Sequence, residues 1–187
     1  AIIATDIYAP FLEILQRNAT KEGLADRIQT QVEDMAELPF EDEGFDALWA
    51  EGAVFIVGFA KGLELWRRLL KPNGYLVVSE LTWLKDDPPA ELREFCLMDP
   101  TEDASLAARR CTIKEAGYTL VEEFRLAREG WWEAYYQPIL ERLDAFEARH
   151  ANHPAAMDVV KHHRTELELF RRYEDVYGYT FFIMKKV

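Results

Sequence analysis

The sequence predicts an α/β protein built on a mostly parallel sheet. Three observations carry that reading. Short apolar runs recur at 2–6, 27–32, 45–50 and 75–79. Stretches with apolar residues at helical spacing follow two of them. Asp6, Asp34, Glu51 and Glu80 each stand at or just after the end of a run, where a parallel sheet presents its carboxyl edge to a ligand.

Taken in order, Ile2 and Ile3 open a buried strand that stops at Asp6. Phe11, Leu12 and Leu15 then repeat at helical spacing between Tyr8 and Asn18, Pro10 suits the first turn, and Gly23 breaks the pattern. Residues 27–32 alternate around Ile28 as a weak strand. Seven acids and no base lie between Glu33 and Asp46, in a loop bounded by Pro39 and Gly44. Phe45, Leu48 and Trp49 mark the next strand, and Leu63, Trp66 and Leu70 share one face of a helix over 56–70. Lys71-Pro72-Asn73-Gly74 reads as a turn into the strongly apolar strand 75–79. Pro88, Pro89 and Pro100 punctuate a variable region, followed by a helix over 102–116 and a strand over 119–126. Trp132, Tyr135, Tyr136, Ile139, Leu140, Leu143 and Phe146 line one helical face, and a second helix runs on after the break at 152–154. An aromatic strand at 177–186 ends the sequence of elements.

The chain has 187 residues, 49% of them hydrophobic, enough for one domain with a substantial core. Its 34 acids against 22 Lys and Arg give a net charge of −12, which argues against nucleic acid or an anionic membrane as partner. Cys96 and Cys111 are too few for a disulfide framework or a closed cysteine zinc site. No apolar stretch approaches the length of a membrane span, so a cytoplasmic location is expected. The four histidines form no HExxH, and no metal site is expected. Neither a G-x-S-x-G elbow nor a Walker motif is present, so hydrolase and kinase chemistry find no support.

Each candidate residue has two readings. Asp6 can accept hydrogen bonds from the vicinal hydroxyls of a ribose, or simply cap the helix that follows. Asp34 can accept from an adenine amine while Met35 packs on the ring, or the two are a loop acid and a core methionine. Glu51 beside Gly52 can face a cationic or hydroxylated ligand, or cap the next helix. Trp83, Trp131, Trp132, Tyr135 and Tyr136 cluster outside the plain scaffold. As a set they fill a core, and some of them could line a pocket whose aromatic faces attract a sulfonium or an ammonium.

The stretches IIATDIYAPFLEILQRNA, DRIQTQVEDMAELPFEDEGFDALWAEGA and LELWRRLLKPNGYLVVSE together resemble the class I S-adenosylmethionine-dependent methyltransferases, more narrowly the small-molecule branch related to ubiquinone/menaquinone biosynthesis. The resemblance covers about the first 80 residues, and its strength lies in the order of the motifs. It implies a Rossmann-like sheet, mostly parallel with an antiparallel last strand, and S-adenosyl-L-methionine as cofactor. Asp6 then holds the cofactor ribose, Ile7 packs beside the adenine, Asp34 and Met35 contact the adenine, and Trp49, Glu51 and Gly52 lie where cofactor and acceptor meet. Glu80 and Trp83 face a small-molecule acceptor. Residues 131–173 become a helical insertion on the acceptor side, with Trp132, Tyr135 and Tyr136 at the pocket or, alternatively, in the core or a homodimer contact. Glu51, Glu80 and Tyr136 are the candidate catalytic groups. The family's first strand and glycine-rich loop have no counterpart here. The chain is therefore expected to be one methyltransferase domain, incomplete at its N-terminal side, with no pairing between the strands at 2–6 and 45–50. Two rivals remain: a nicotinamide-dependent oxidoreductase, for which the last strand would be parallel, and a non-catalytic scaffold or regulatory module of the same fold.

Overall fold

A computed structural model describes residues 1–96 and 102–187. Among the described residues, six strands fall into two sheets. β1 (Ile2–Asp6) and β2 (Ile28–Val32) pair in parallel, with α1 (Ala9–Lys21) crossing between them. β3 (Phe45–Glu51), β4 (Leu70–Trp83), β5 (Tyr118–Arg125) and β6 (Tyr177–Lys186) form the second sheet in the order β3-β4-β6-β5. β3 runs parallel to β4, whereas β6 is antiparallel to both β4 and β5. The antiparallel last strand and the lack of pairing between β1 and β3 among the described residues both match expectation.

β4 organises the molecule. It has a hydrogen-bonded partner on each side, and Leu76 to Trp83 are buried without a break, as a central strand covered on both faces must be. On one face lies α2 (Phe59–Arg67), whose Phe59, Leu63 and Trp66 pack with Leu76, Val78, Phe182 and Met184. Full burial of such side chains stabilises by roughly 1.5–3 kcal/mol each. α4 (Leu106–Glu115) adds Ile113 to the same cluster. A second cluster gathers Leu81, Trp83, Tyr136, Leu167, Phe170 and Tyr177 around the far end of β4 and β6. Tyr136 comes from a π-helical turn (Trp132–Tyr136) that links α5 (Arg128–Trp131) to α6 (Gln137–His150), and α7 (Pro154–Tyr173) supplies Leu167 and Phe170.

Several boundaries differ from the sequence reading. The helix expected over 56–70 is shorter, because residues 54–56 form a separate turn and β4 pairing already starts at Leu70. Lys71 to Gly74 is therefore a bulge within β4: the partners of Leu70 and Tyr75 on β3 are Phe45 and Ala47, and Asn73 takes φ +64° to make the excursion. The helix expected from 102 begins at Leu106, because Ser105 caps it by accepting from the Ala108 N–H at 3.1 Å. A short helix, α3 (Ala90–Cys96), follows Pro88 and Pro89, where no element was expected. Pro100 lies outside the described residues.

The acidic loop ties the two sheets together. Trp66 donates its indole N–H to the Met35 carbonyl at 2.9 Å, and Arg68 donates to the carbonyls of Leu38 and Phe40 and to Asp42. Met35 and Leu38 pack on the α2 cluster. The remaining acids of the loop are mostly exposed.

Candidate active site

Asp6, Asp34 and Glu51 sit at the carboxyl ends of strands or just after them, whereas Glu80 lies inside β4, which runs on to Trp83 rather than stopping at Ser79 because its outer residues pair with β6. Asp6 ends β1 and accepts the Tyr8 N–H through Oδ1 at 2.7 Å. Asp34 follows β2 and accepts the Ala36 N–H through Oδ1 at 2.8 Å. Each is held by its own backbone and keeps a second oxygen that makes no hydrogen bond among the described residues. Ile7 is exposed beside Asp6, and Met35 is half-buried beside Asp34.

At the next strand end, Trp49 donates its indole N–H to Glu51 Oε1 at 2.7 Å, and both side chains are exposed. Gly52 turns away from β3 with φ +53°, and its N–H donates to Ser79 Oγ of β4 at 2.9 Å. A Cβ at Gly52 would lie 3.6 Å from the Tyr179 ring, so this backbone passes close to β6. The turn thus brings the end of β3 together with Ser79 inside β4 and a β6 side chain.

Glu80 lies just beyond Ser79 on β4 and is only 4% exposed. Its Oε1 accepts the Leu81 N–H at 2.9 Å, and Oε2 has no partner among the described residues. Burial, helped by the nearby Glu102 charge, pushes this carboxyl up to about 7, against the opposing pull of the Leu81 N–H, the Arg109 charge and, more weakly, the Phe55 N–H. Glu80 lines a cavity of about 160 Å³. Phe55, Phe59 and Leu81 make its apolar wall, and Arg109, Glu102, Cys96 and Tyr179 bring the other polar groups. Arg109 comes from α4, is buried, lies with its guanidinium carbon 4.5 Å from the Phe59 ring centre, and pairs with Glu102. It also donates to the Leu81 carbonyl, while its Nε has no partner among the described residues. Burial raises the Cys96 thiol to about 12 and lifts the Tyr179 phenol well above its usual range, so both are neutral hydrogen-bonding groups near pH 7.

Trp83, Trp132, Tyr135 and Tyr136 do not line this cavity. Tyr136 is 1% exposed, packs on Phe170 and donates its hydroxyl to Glu166 Oε1 at 3.3 Å. Trp83 is buried in the same cluster. The aromatic group meets the cavity through one intermediary: Trp131 lies 4.9 Å from Tyr179 between ring centres, with Tyr135 stacked on it at 5.4 Å and Tyr136 tilted against it at 5.7 Å. The insertion helices therefore back the Tyr179 wall. No cluster of three potential metal-ligating side chains exists among the described residues.

Sequence reasoning passed over Arg109, Phe55, Phe59, Cys96 and Tyr179. Arg109 sits in a helix with little amphipathic pattern, and only its unexpected burial distinguishes it from a solvated arginine. Tyr179 belongs to an alternating strand in which every aromatic residue looks like core.

Comparison with known proteins places this geometry. Residues 1–78 match the model of the "Methyltransferase domain" family. The chain is 38% identical over 82 residues to a demethylmenaquinone methyltransferase of Bacteroides fragilis, covering 43% of this chain and 34% of that protein. An uncharacterized methyltransferase of Bacillus subtilis is 25% identical over 182 residues, covering 94% of this chain and 70% of its own length. A methyltransferase from Geobacter sulfurreducens, solved with S-adenosyl-L-homocysteine, superimposes with a TM-score of 0.82 at 20% identity, over 99% of this chain and 75% of that one. The strand order and the antiparallel β6 give the chain the Rossmann-like fold of class I S-adenosylmethionine-dependent methyltransferases. Over less than half of its length the chain is similar to demethylmenaquinone and ubiquinone/menaquinone methyltransferases, and it spans about a third of the length of those relatives.

Proposed function

We propose that the protein transfers a methyl group from S-adenosylmethionine to a small-molecule acceptor. The observation that carries this reading is the antiparallel β6 lying between β4 and β5, next to a carboxyl edge that holds Asp6, Asp34, Glu51 and the buried Glu80. A nicotinamide-dependent oxidoreductase would share the acids but not this strand. The donor set suits the cofactor: the free oxygens of Asp6 and Asp34 can accept from ribose hydroxyls and an adenine amine, with Ile7 and Met35 beside them and Trp49, Glu51 and Gly52 across the edge. When bound, the cofactor supplies an electrophilic methyl group on a sulfonium.

The protein's own work is then alignment, exclusion of water and handling of one proton. The Phe55, Phe59 and Leu81 walls keep the acceptor side dry. Glu80 Oε2 is the proton acceptor of choice, because a carboxyl near 7 exchanges a proton readily at neutral pH. Glu51, tethered by Trp49, borders the cofactor side. Residues 131–173 serve as an acceptor-side lobe acting through Tyr179, with Tyr136 setting the position of that wall. We further read the two sheets as parts of one sheet, joined by a strand that pairs with the open edges of β1 and β3. The unpaired Cys96 and Cys111 fit a reducing cytoplasmic setting, and the acidic surface disfavours nucleic acid. No helix among the described residues is long and apolar enough to cross a membrane.

Calorimetric titration of the full-length protein with S-adenosylmethionine and S-adenosylhomocysteine tests the reading. Both should bind, and Asp6→Ala should weaken binding by roughly 1–3 kcal/mol through loss of charge-assisted hydrogen bonds. Binding of neither compound would end the proposal.

A further inference from the structure

The cavity at Glu80 has an unbalanced set of charges. Arg109 is matched by Glu102, and its guanidinium face is covered by Phe59. Glu80 faces the same space from β4 with one oxygen bound to its own backbone and the other unpartnered, although its side chain is more than nine-tenths buried. Among the described residues, two carboxylates and one guanidinium leave one negative charge unmatched whenever Glu80 is ionised. An ion buried in this way is costly unless paired. Tyr179 and Cys96, the other titratable groups facing the space among the described residues, add no positive charge.

We propose that this cavity binds a small organic ammonium ion, which donates an N–H to Glu80 Oε2 and sets its alkyl groups against Phe55 and Tyr179, and that the methyl acceptor is an amine entering as this cation. The second clause rests on the methyltransferase reading, and the first does not. About 160 Å³ is comparable to the engineered cavity of about 150 Å³ that takes up benzene, so the bound portion has about the size of one ring. The aromatic faces of Phe55 and Tyr179 favour a cation over a neutral isostere. The carboxylate then has a function beyond attraction: it takes one proton from the ammonium nitrogen and leaves a neutral amine with its lone pair free, while Glu80 becomes the uncharged acid that burial favours.

The test uses three isosteric probes and no methyl donor, so it stands apart from the cofactor titration. Isobutylammonium, isobutanol and isobutyrate are titrated into the full-length protein and followed by the NMR signals of the Phe59 and Tyr179 rings. Isobutylammonium should bind at least tenfold more tightly than the other two. Its affinity should rise about tenfold between pH 6 and 8, as a carboxyl near 7 ionises. Glu80→Gln keeps an acceptor for the Leu81 N–H and should abolish both the preference and the pH dependence. Tighter binding of isobutyrate would assign the cavity to Arg109 and overturn the proposal. Equal binding of all three, or a pH-independent preference for the cation, would also overturn it. Should Glu80→Gln not fold, the probe series and pH profile of the unaltered protein decide the matter by themselves.

Discussion

Glu80 makes the protein less stable where it is charged. Its folded-state pKa stands above the ordinary carboxylate value, so the folded protein holds this proton more tightly than the unfolded chain. The contribution of this residue to stability is therefore greatest below the unfolded value of about 4.5 and is lost progressively as pH rises to about 7. A shift of this size corresponds to about 3 kcal/mol of destabilisation above pH 7. Glu80→Gln should accordingly raise the denaturation midpoint at pH 8 and leave it nearly unchanged at pH 4.5. Urea melts at the two pH values measure this directly, and equal effects at both would mean that Glu80 is not desolvated. The level of this acid was legible in the sequence, since Ser79 before it pairs with Glu51 at the end of β3, but the continuation of β4 past it to Trp83 was not. Its burial was not, because that depends on Arg109, Phe59 and Tyr179, which arrive from three other elements.

At the scale of elements, the turn Val54–Ile56 and α2 are fitted to each other through Gly62. A Cβ there would come within 2.7 Å of Val54 Cγ2 and 3.2 Å of Val57 Cγ2. Gly62→Ala gains helix propensity worth up to about 1 kcal/mol but forces this turn outward, at a cost of roughly 1–3 kcal/mol. Net destabilisation is expected, together with a displaced Phe55 and weaker retention of any ligand at Glu80. Thermal melts and ligand titration of the same variant check the two effects. A stabilised variant with unchanged binding would show that the turn yields without consequence. Elements were legible where a single period dominated: β4 and β6 follow from apolar and aromatic runs, and α1 from its spacing. The π-helical turn at Trp132–Tyr136 was hidden, because the adjacent pairs Trp131-Trp132 and Tyr135-Tyr136 satisfy an α-helical pattern equally well. The bulge at Lys71 to Gly74 looked like an ordinary turn, since Pro, Asn and Gly serve both.

On the scale of the whole molecule, the two sheets differ in how well they are enclosed. Among the described residues β1 and β2 pack chiefly on each other and α1, and Ile2, Ile7, Phe11 and Val32 are more than half exposed; so is Trp49 on the open edge of β3. β4 and β6 are buried in the centre of the other sheet. Amides of β1 and β2 should therefore open at free energies several kcal/mol below those of β4 and β6, and hydrogen exchange read by mass spectrometry will show whether they do. Uniform protection across both sheets would contradict the assignment of open edges. β6 has a further consequence, which concerns order in time. It sits between β4 and β5, yet about fifty residues of chain, including α6 and α7, are made after β5 before β6 exists. During synthesis β4 and β5 emerge with their inner edges bare and must wait for a strand still inside the ribosome. The apolar side chains of Phe124 and Val121 on β5, exposed even in the finished sheet, are then most vulnerable to sticking to another nascent copy, so the yield of folded protein depends on how fast the ribosome crosses the helices between them.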